Sequence, residues 1–319
     1  MNAVHLGAVA AIVPGVVSCW DGAGPWTAPP AVAHREAAID VQKHLAGVRH
    51  RYFNDTSRFS VAAARSCVGQ RPQLAWHALD GTRRGVVVGT TVADYTVRDR
   101  LDREVIANGA ASINAVFAPN VSSNIASAHV SIDQQARAFT TTLTSPFLAG
   151  LESLAVGVLS LRANQADSVL AIAAEAALPP GDSTVITPGA VCVCLQRRPS
   201  TSGRAIVDIH AGYHAAGAES RLPHSALKFL DAALNSPRAA PGFVVIRDRS
   251  AHGKHTADAW LREASSNGRH ATANESALDD AGAVAPLLAA MPSFTGDNPV
   301  VLLAIYRGRY VAFSIAQSI

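Results

Sequence analysis

Apolar residues recur along this chain in short runs: Val4–Val13, Gly85–Gly89, Ala138–Thr144, Ser168–Ala174, Ala190–Leu195, Ile206–Ile209, Phe243–Ile246 and Val300–Ile305. Most are continuous rather than alternating, the signature of strands covered on both faces. Helical patterns lie between them, as at Leu148–Leu161 and Ser225–Leu234. This alternation predicts a layered α/β architecture. Val4–Val13 reads as a buried first strand followed by a turn at Pro14-Gly15. The openings Val4-His5-Leu6-Gly7-Ala8-Val9 and Ala205-Ile206-Val207-Asp208-Ile209-His210 look related, which predicts a duplicated unit. Its seam falls in the polar stretch Pro199–Arg204, giving halves at 1–200 and 201–319. Ser265–Asn274, polar and without apolar periodicity, reads as a loop.

With 319 residues, 49% hydrophobic and 16% charged, the chain has ample material for a large core. A net charge of +3 with scattered arginines argues against nucleic acid, and Arg83-Arg84 and Arg197-Arg198 read as solvated surface. Residues 1–20 are apolar but lack a basic opening and carry Pro14 and Gly15 at their centre, so neither a signal peptide nor a membrane span is expected. Four cysteines make no disulfide framework. Cys192 and Cys194 share one face of a strand and fit no zinc motif. His210/His214 and His252/His255 have no carboxylate or Cys at ligand spacing, so no metal and no cofactor is expected. A reducing cytoplasm fits the thiols.

Several blocks carry more specific information. They are Gly85-Val86-Val87-Val88-Gly89-Thr90; Pro119-Asn120 with Asn124-Ile125-Ala126-Ser127-Ala128-His129-Val130-Ser131-Ile132; Gln165-Ala166-Asp167-Ser168-Val169-Leu170-Ala171-Ile172-Ala173; and Pro188–Leu195 with Arg204–Val207. In this order they resemble the ketoacyl synthases of the thiolase superfamily. The resemblance implies a layered α-β-α-β-α fold made of two duplicated halves, the C-terminal one shortened. In that family a reactive Cys stands at the elbow between a strand and a helix, with Gly three residues later. Counting back from Asp167, and from the match at Gly150, places Phe147 at that elbow. A phenyl ring has no lone pair or proton with which to form a thioester.

The family's two catalytic histidines are degenerate as well. His252, in Ala251-His252-Gly253-Lys254-His255 after the strand Phe243–Ile246, stands nearest to the first; the family's glycine-rich pattern is lost there. Ser276 occupies the position of the second, three residues before Asp279-Asp280-Ala281-Gly282-Ala283-Val284. The family's terminal glycine-rich turn survives only as Gly308 in Tyr306-Arg307-Gly308-Arg309-Tyr310.

Taken together, the resemblance points to a chain length factor of a type II polyketide synthase. Such a subunit is catalytically silent, pairs with a true ketosynthase and receives the growing chain from an acyl carrier protein. The strand Phe139, Thr140, Thr141, Thr142, Leu143 and Thr144 is then the dimer-forming strand, and its β-prone composition suits an edge seeking a partner. The helix expected at Ala93–Val105 supplies Tyr95, Arg98 and Asp102 to the chain-length tunnel, with Phe147 as a further apolar wall. The short length, and the absence at the elbow of the Gln common in aromatic-polyketide chain length factors, point to the highly reducing or aryl-polyene type. A competing reading makes the chain an acyltransferase with Ser145 as acyl acceptor and His252 or His255 as base.

Overall fold

The computed structural model describes residues 3–317 apart from 15, 21–25, 27–38, 48–49, 70, 72–73, 92–93, 179–183, 199–203, 215–221, 235–241, 267–272, 281 and 297. Its strands are β1 Val4–Val13, β2 Val16–Trp20, β3 Arg84–Thr90, β4 Phe139–Thr144, β5 Ser168–Glu175, β6 Gly189–Gln196, β7 Arg204–Tyr213, β8 Gly242–Asp248, β9 Ala273–Leu278, β10 Val300–Tyr306 and β11 Arg309–Gln317. Its helices are α1 Asp55–Val68, α2 Ala75–Ala78, α3 Tyr95–Asn108, α4 Ile125–Asp133, α5 Ala149–Arg162, α6 His224–Leu234, α7 Ala251–Ser266 and α8 Val284–Thr295.

The strands follow the order β4-β3-β5-β6-β1-β7-β11-β10-β8-β9, with β2 paired to β1. Read outward from the β1–β7 junction, the two halves are the same. In each, an antiparallel strand (β6 or β11) separates the opening strand from a parallel trio. The related openings noted in the sequence are the two central strands, and they meet antiparallel at Val4↔Ile206 and His5↔Ala205. The seam residues 199–203 lie outside the described residues.

Side-chain parity sorts the apolar runs into layers. Val87, Val169, Ala171, Val193, Leu302 and Phe313 face a central cluster with Leu151, Leu154 and Val158 of α5 and Leu287, Met291 and Phe294 of α8. The alternate residues Val86, Val88, Leu170, Ile172, Cys192 and Cys194 face α1 and α4. Phe243, Val245, Val301 and Leu303 face α6 and α7 through Leu230 and Trp260. The order of layers is therefore α1/α4, sheet, α5/α8, sheet, α6/α7, the α-β-α-β-α arrangement expected. Strands with helices on both faces must be apolar on both, which is why β1, β5 and β6 are buried at every position.

The turn expected after Val13 is present and leads into β2, so the N-terminal segment is a hairpin. His252 lies in the first turn of α7, which begins at Ala251, where Ser250 accepts from Gly253 N through its side chain (2.9 Å) and from Lys254 N through its carbonyl (3.1 Å). Ser276 does not precede a helix start; it lies in β9, opposite Ile246 of β8, and α8 begins only at Val284. Of the expected loop Ser265–Asn274, the first residues belong to α7 and the last to β9, while 267–272 lie outside the described residues.

Candidate functional site

The turn between β4 and α5 has the geometry of a nucleophile elbow. Phe147 adopts φ +67°, and Leu148 N donates back to Pro146 O at 2.7 Å. A left-handed backbone at a bulky aromatic residue is a true outlier, costing about 1–3 kcal/mol. The surrounding packing holds it there. Gly150, one residue into α5, lets the helix approach α8 and β5: an added Cβ would stand 2.6 Å from Ala283 O and 2.7 Å from Ala173 Cβ. Phe147 is fully buried, and its ring stacks on Tyr306 at 5.7 Å with planes 20° apart. The ring belongs to the central core. The space next to the elbow is occupied by a second aromatic side chain.

Tyr306 ends β10, and Arg307 and Gly308 form the tight turn to β11 with φ +46° and +87°. Arg307 lies over the Tyr306 ring at 5.4 Å, and its N–H donates to Asp248 Oδ1 at 3.3 Å. Gly308 needs both its positive φ and its missing Cβ, because a Cβ there would lie 2.3 Å from His252 Nε2. The structure thus brings His252 close to the degenerate turn. Nε2 of His252, however, donates to the His214 carbonyl at 2.8 Å, so the donor that would polarise a substrate carbonyl is engaged within the chain. Ser276 is exposed on the edge strand β9.

Ser145 is buried, and its hydroxyl donates to Glu152 Oε2 at 2.6 Å; Glu152 Oε1 in turn accepts from Arg309 at 2.7 Å. Its partner is a carboxylate already paired to a guanidinium, an arrangement that ties the elbow to β11.

Glu175 closes β5 beneath the same region, fully buried, where it accepts from Thr91 N (2.6 Å), Thr90 Oγ1 (3.1 Å) and Ala283 N (2.9 Å). It joins the end of β3 in the first half to the start of α8 in the second. Burial pushes its carboxyl up to about 7, against the pull of these hydrogen bonds. Neither Glu175 nor Tyr306 was singled out from sequence as part of the site. The available signal for Tyr306 was a large aromatic residue within a motif that is glycine-rich in the relatives, matching the large residue at the elbow.

On α3, Tyr95, Arg98 and Asp102 fall on one helical face and all three are exposed, Tyr95 at 43%. Among the described residues β4 is an edge strand, hydrogen-bonded to β3 alone. Thr140 and Thr142 bond Ser131 and Ser127 of α4 at 2.6 and 2.7 Å, while Phe139 and Leu143 pack against the central core. The opposite edge, β9, carries Glu275 paired with Arg247. β4 carries no charge, so it lacks the usual defence of an exposed edge.

Among the described residues no group of three His, Cys, Asp or Glu side chains is placed to hold a metal ion, and no helix is long and apolar enough to cross a membrane. Cys192 and Cys194 are buried side by side, and burial raises both thiols.

The family model described as "Beta-ketoacyl synthase, N-terminal domain" matches residues 35–198. No curated protein matches the chain by sequence. Among solved structures, the chain is similar to the ishigamide ketosynthase/chain length factor at 15% identity and a TM-score of 0.68, covering 99% of each chain. It is also similar to a chain of AntDE:AntF, a type II polyketide synthase acyl carrier protein in complex with its ketosynthase bound to the hexaketide. Identity there is 15% and the TM-score 0.73, covering 100% of this chain and 99% of that one. A beta-ketoacyl synthase from Burkholderia phymatum STM815 aligns at 12% identity and a TM-score of 0.67 over the whole of both chains. At these identities the likeness establishes the fold.

Proposed function

The chain belongs to the β-ketoacyl synthase family, and from that premise we propose that it is a non-catalytic chain length factor, the silent partner of a catalytic ketosynthase in type II polyketide elongation. The observation that carries this reading is Phe147, which keeps the strained φ of a nucleophile elbow while presenting a ring stacked on Tyr306. A backbone outlier of this kind persists where the surroundings over-determine it. Here the elbow geometry is retained without a residue capable of acyl transfer.

In this reading the uncharged edge strand β4 pairs across the heterodimer dyad with its counterpart, extending the sheet between subunits. The exposed face of α3 bearing Tyr95, Arg98 and Asp102 meets the partner and closes one side of the acyl tunnel, with Tyr95 as the stop. The ketosynthase supplies the Cys and both histidines, and the acyl carrier protein delivers the chain to it. Phe147 and Tyr306 fill the space in which a second active site would otherwise form. The elbow without Gln favours the highly reducing or aryl-polyene type, acting in the cytoplasm.

The test is co-expression with a Cys-bearing ketosynthase, followed by incubation with carrier protein loaded with a labelled acyl group. A stable 1:1 complex with all label on the partner is expected. Label on this chain would overturn the silent role, and failure to form the complex would overturn the pairing.

A further inference from the structure

A cavity of about 200 Å³ opens between the starts of α1 and α3 and the short turn Ala118–Val121, and it shares no lining residue with the Phe147 elbow. Its floor is polar, buried and internally satisfied. Asn54 accepts from Ser57 N at 2.9 Å and donates to Asn120 O at 3.3 Å, and Asn120 donates to Tyr52 O at 2.9 Å. Both oxygens of Asp94 are engaged by backbone N–H groups, Val97 at 3.1 Å and Asp55 at 3.0 Å. Asn54, Asp94 and Asn120 are each no more than 5% exposed.

The rim is different. Arg51 lies over the Tyr52 ring at 5.5 Å and Arg100 over the Phe117 ring at 5.0 Å, and the two rings meet edge-on at 6.0 Å. Neither guanidinium has a carboxylate partner among the described residues. Arg58 pairs with Asp55 at 3.2 Å through Nη1, but its buried Nε donates to nothing among the described residues. A guanidinium resting on an aromatic face keeps its planar fork of N–H groups in the ring plane, free to grip a carboxylate with two hydrogen bonds. Once Arg58 and Asp55 neutralise each other, Arg51 and Arg100 oppose only Asp94, whose oxygens already have donors.

The geometry points to a binding site for a small aryl carboxylate, with Arg51 and Arg100 on the carboxylate and Tyr52 and Phe117 against the ring. The volume lies below the roughly 300 Å³ at which drug-sized pockets begin, which limits the ligand to about one ring. Thr96, Val97 and Arg100 lie on the side of α3 opposite Tyr95, Arg98 and Asp102, so the cavity stays open when the latter face is covered. The site does not depend on the proposed function.

Titration calorimetry of the full chain with benzoate, at constant ionic strength, tests it, with acetate as the ringless comparison. Saturable benzoate binding is expected, with acetate at least about tenfold weaker. Arg100→Ala should weaken benzoate binding by about tenfold or more, the loss typical of a charge-assisted contact. Arg103→Ala, one turn along and paired with Asp99, should leave it unchanged. Arg51→Ala serves as a second variant, and circular dichroism checks the fold of each. Absent saturation, acetate binding as tightly as benzoate, or full binding by both Arg100→Ala and Phe117→Leu would each overturn the proposal.

Discussion

Replacing Phe147 by Ala and, separately, by Gly isolates the strain at the elbow from the loss of the ring. Both variants remove a fully buried side chain stacked on Tyr306, so both should be destabilised by about 3–5 kcal/mol, the usual range for a core Phe cut to Ala. The two differ in backbone. At φ +67° any Cβ pays about 1–2 kcal/mol for the left-handed conformation, and Gly does not. Against this, Gly loses about 0.5–1 kcal/mol more conformational freedom on folding than Ala. Together these two effects favour Phe147→Gly over Phe147→Ala by about 0–1.5 kcal/mol. Leu154 in the middle of α5 provides the contrast: there Gly should be worse than Ala by about 1 kcal/mol. Urea midpoints at equal slope give both differences. If Phe147→Gly is the less stable of its pair, as in an ordinary helix or strand, the elbow carries no strain and the register that places Phe147 there fails.

Four further outcomes are expected. Phe147→Cys should give no condensation by the isolated chain in an acyl-transfer assay, because Tyr306 fills the site, His252 donates to His214 O, and Ser276 stands on an edge strand; any turnover would contradict the silent reading. Glu175 is raised from 4.5 to about 7, so its contribution to stability is complete below about pH 4.5 and is lost as pH rises through about 7; by the size of the shift this amounts to about 3 kcal/mol. Denaturation midpoints across that window should therefore fall with rising pH in the native chain and fall less in Glu175→Gln. Thr140→Lys, which places a charge on the β4 edge, should abolish co-purification with a ketosynthase while leaving the chain's own melting temperature within a few degrees. In the complex, Tyr95→Ala should lengthen the products seen by mass spectrometry, and an unchanged length would remove Tyr95 as the stop.

Much of the fold is written in local pattern. The run Val4–Val13 coincides with β1, and the runs at 85, 168, 190, 243 and 300 fall within strands that extend them slightly, because unbroken apolar runs of this length fit strands sandwiched between helices. The weak likeness between residues 4–9 and 205–210 marked the two strands that meet at the pseudo-dyad. The misreadings cluster where sequence gives no periodic signal. α7 starts through a serine cap within a stretch rich in His and Lys, and β9 is a polar edge strand recruited by β8. β2 forms because β1 offers it a free edge.

By itself, the sequence determined that residue 147 could not be a nucleophile, that Gly stood three residues on, and that the Thr-rich strand before it carried no charge. These are properties of residue type and spacing, and they hold whatever the chain does next. Only the tertiary structure decided what replaced the chemistry. It set Tyr306, 159 positions further along, against the Phe147 ring, turned His252 toward His214, gave the Ser145 hydroxyl to Glu152, and left β4 at a sheet edge. The Ser145–Glu152 bond spans only seven residues, but the His252–His214 and Phe147–Tyr306 contacts join separate elements. The last brings the two halves together where α5 packs against α8, a long-range arrangement that local propensity does not encode.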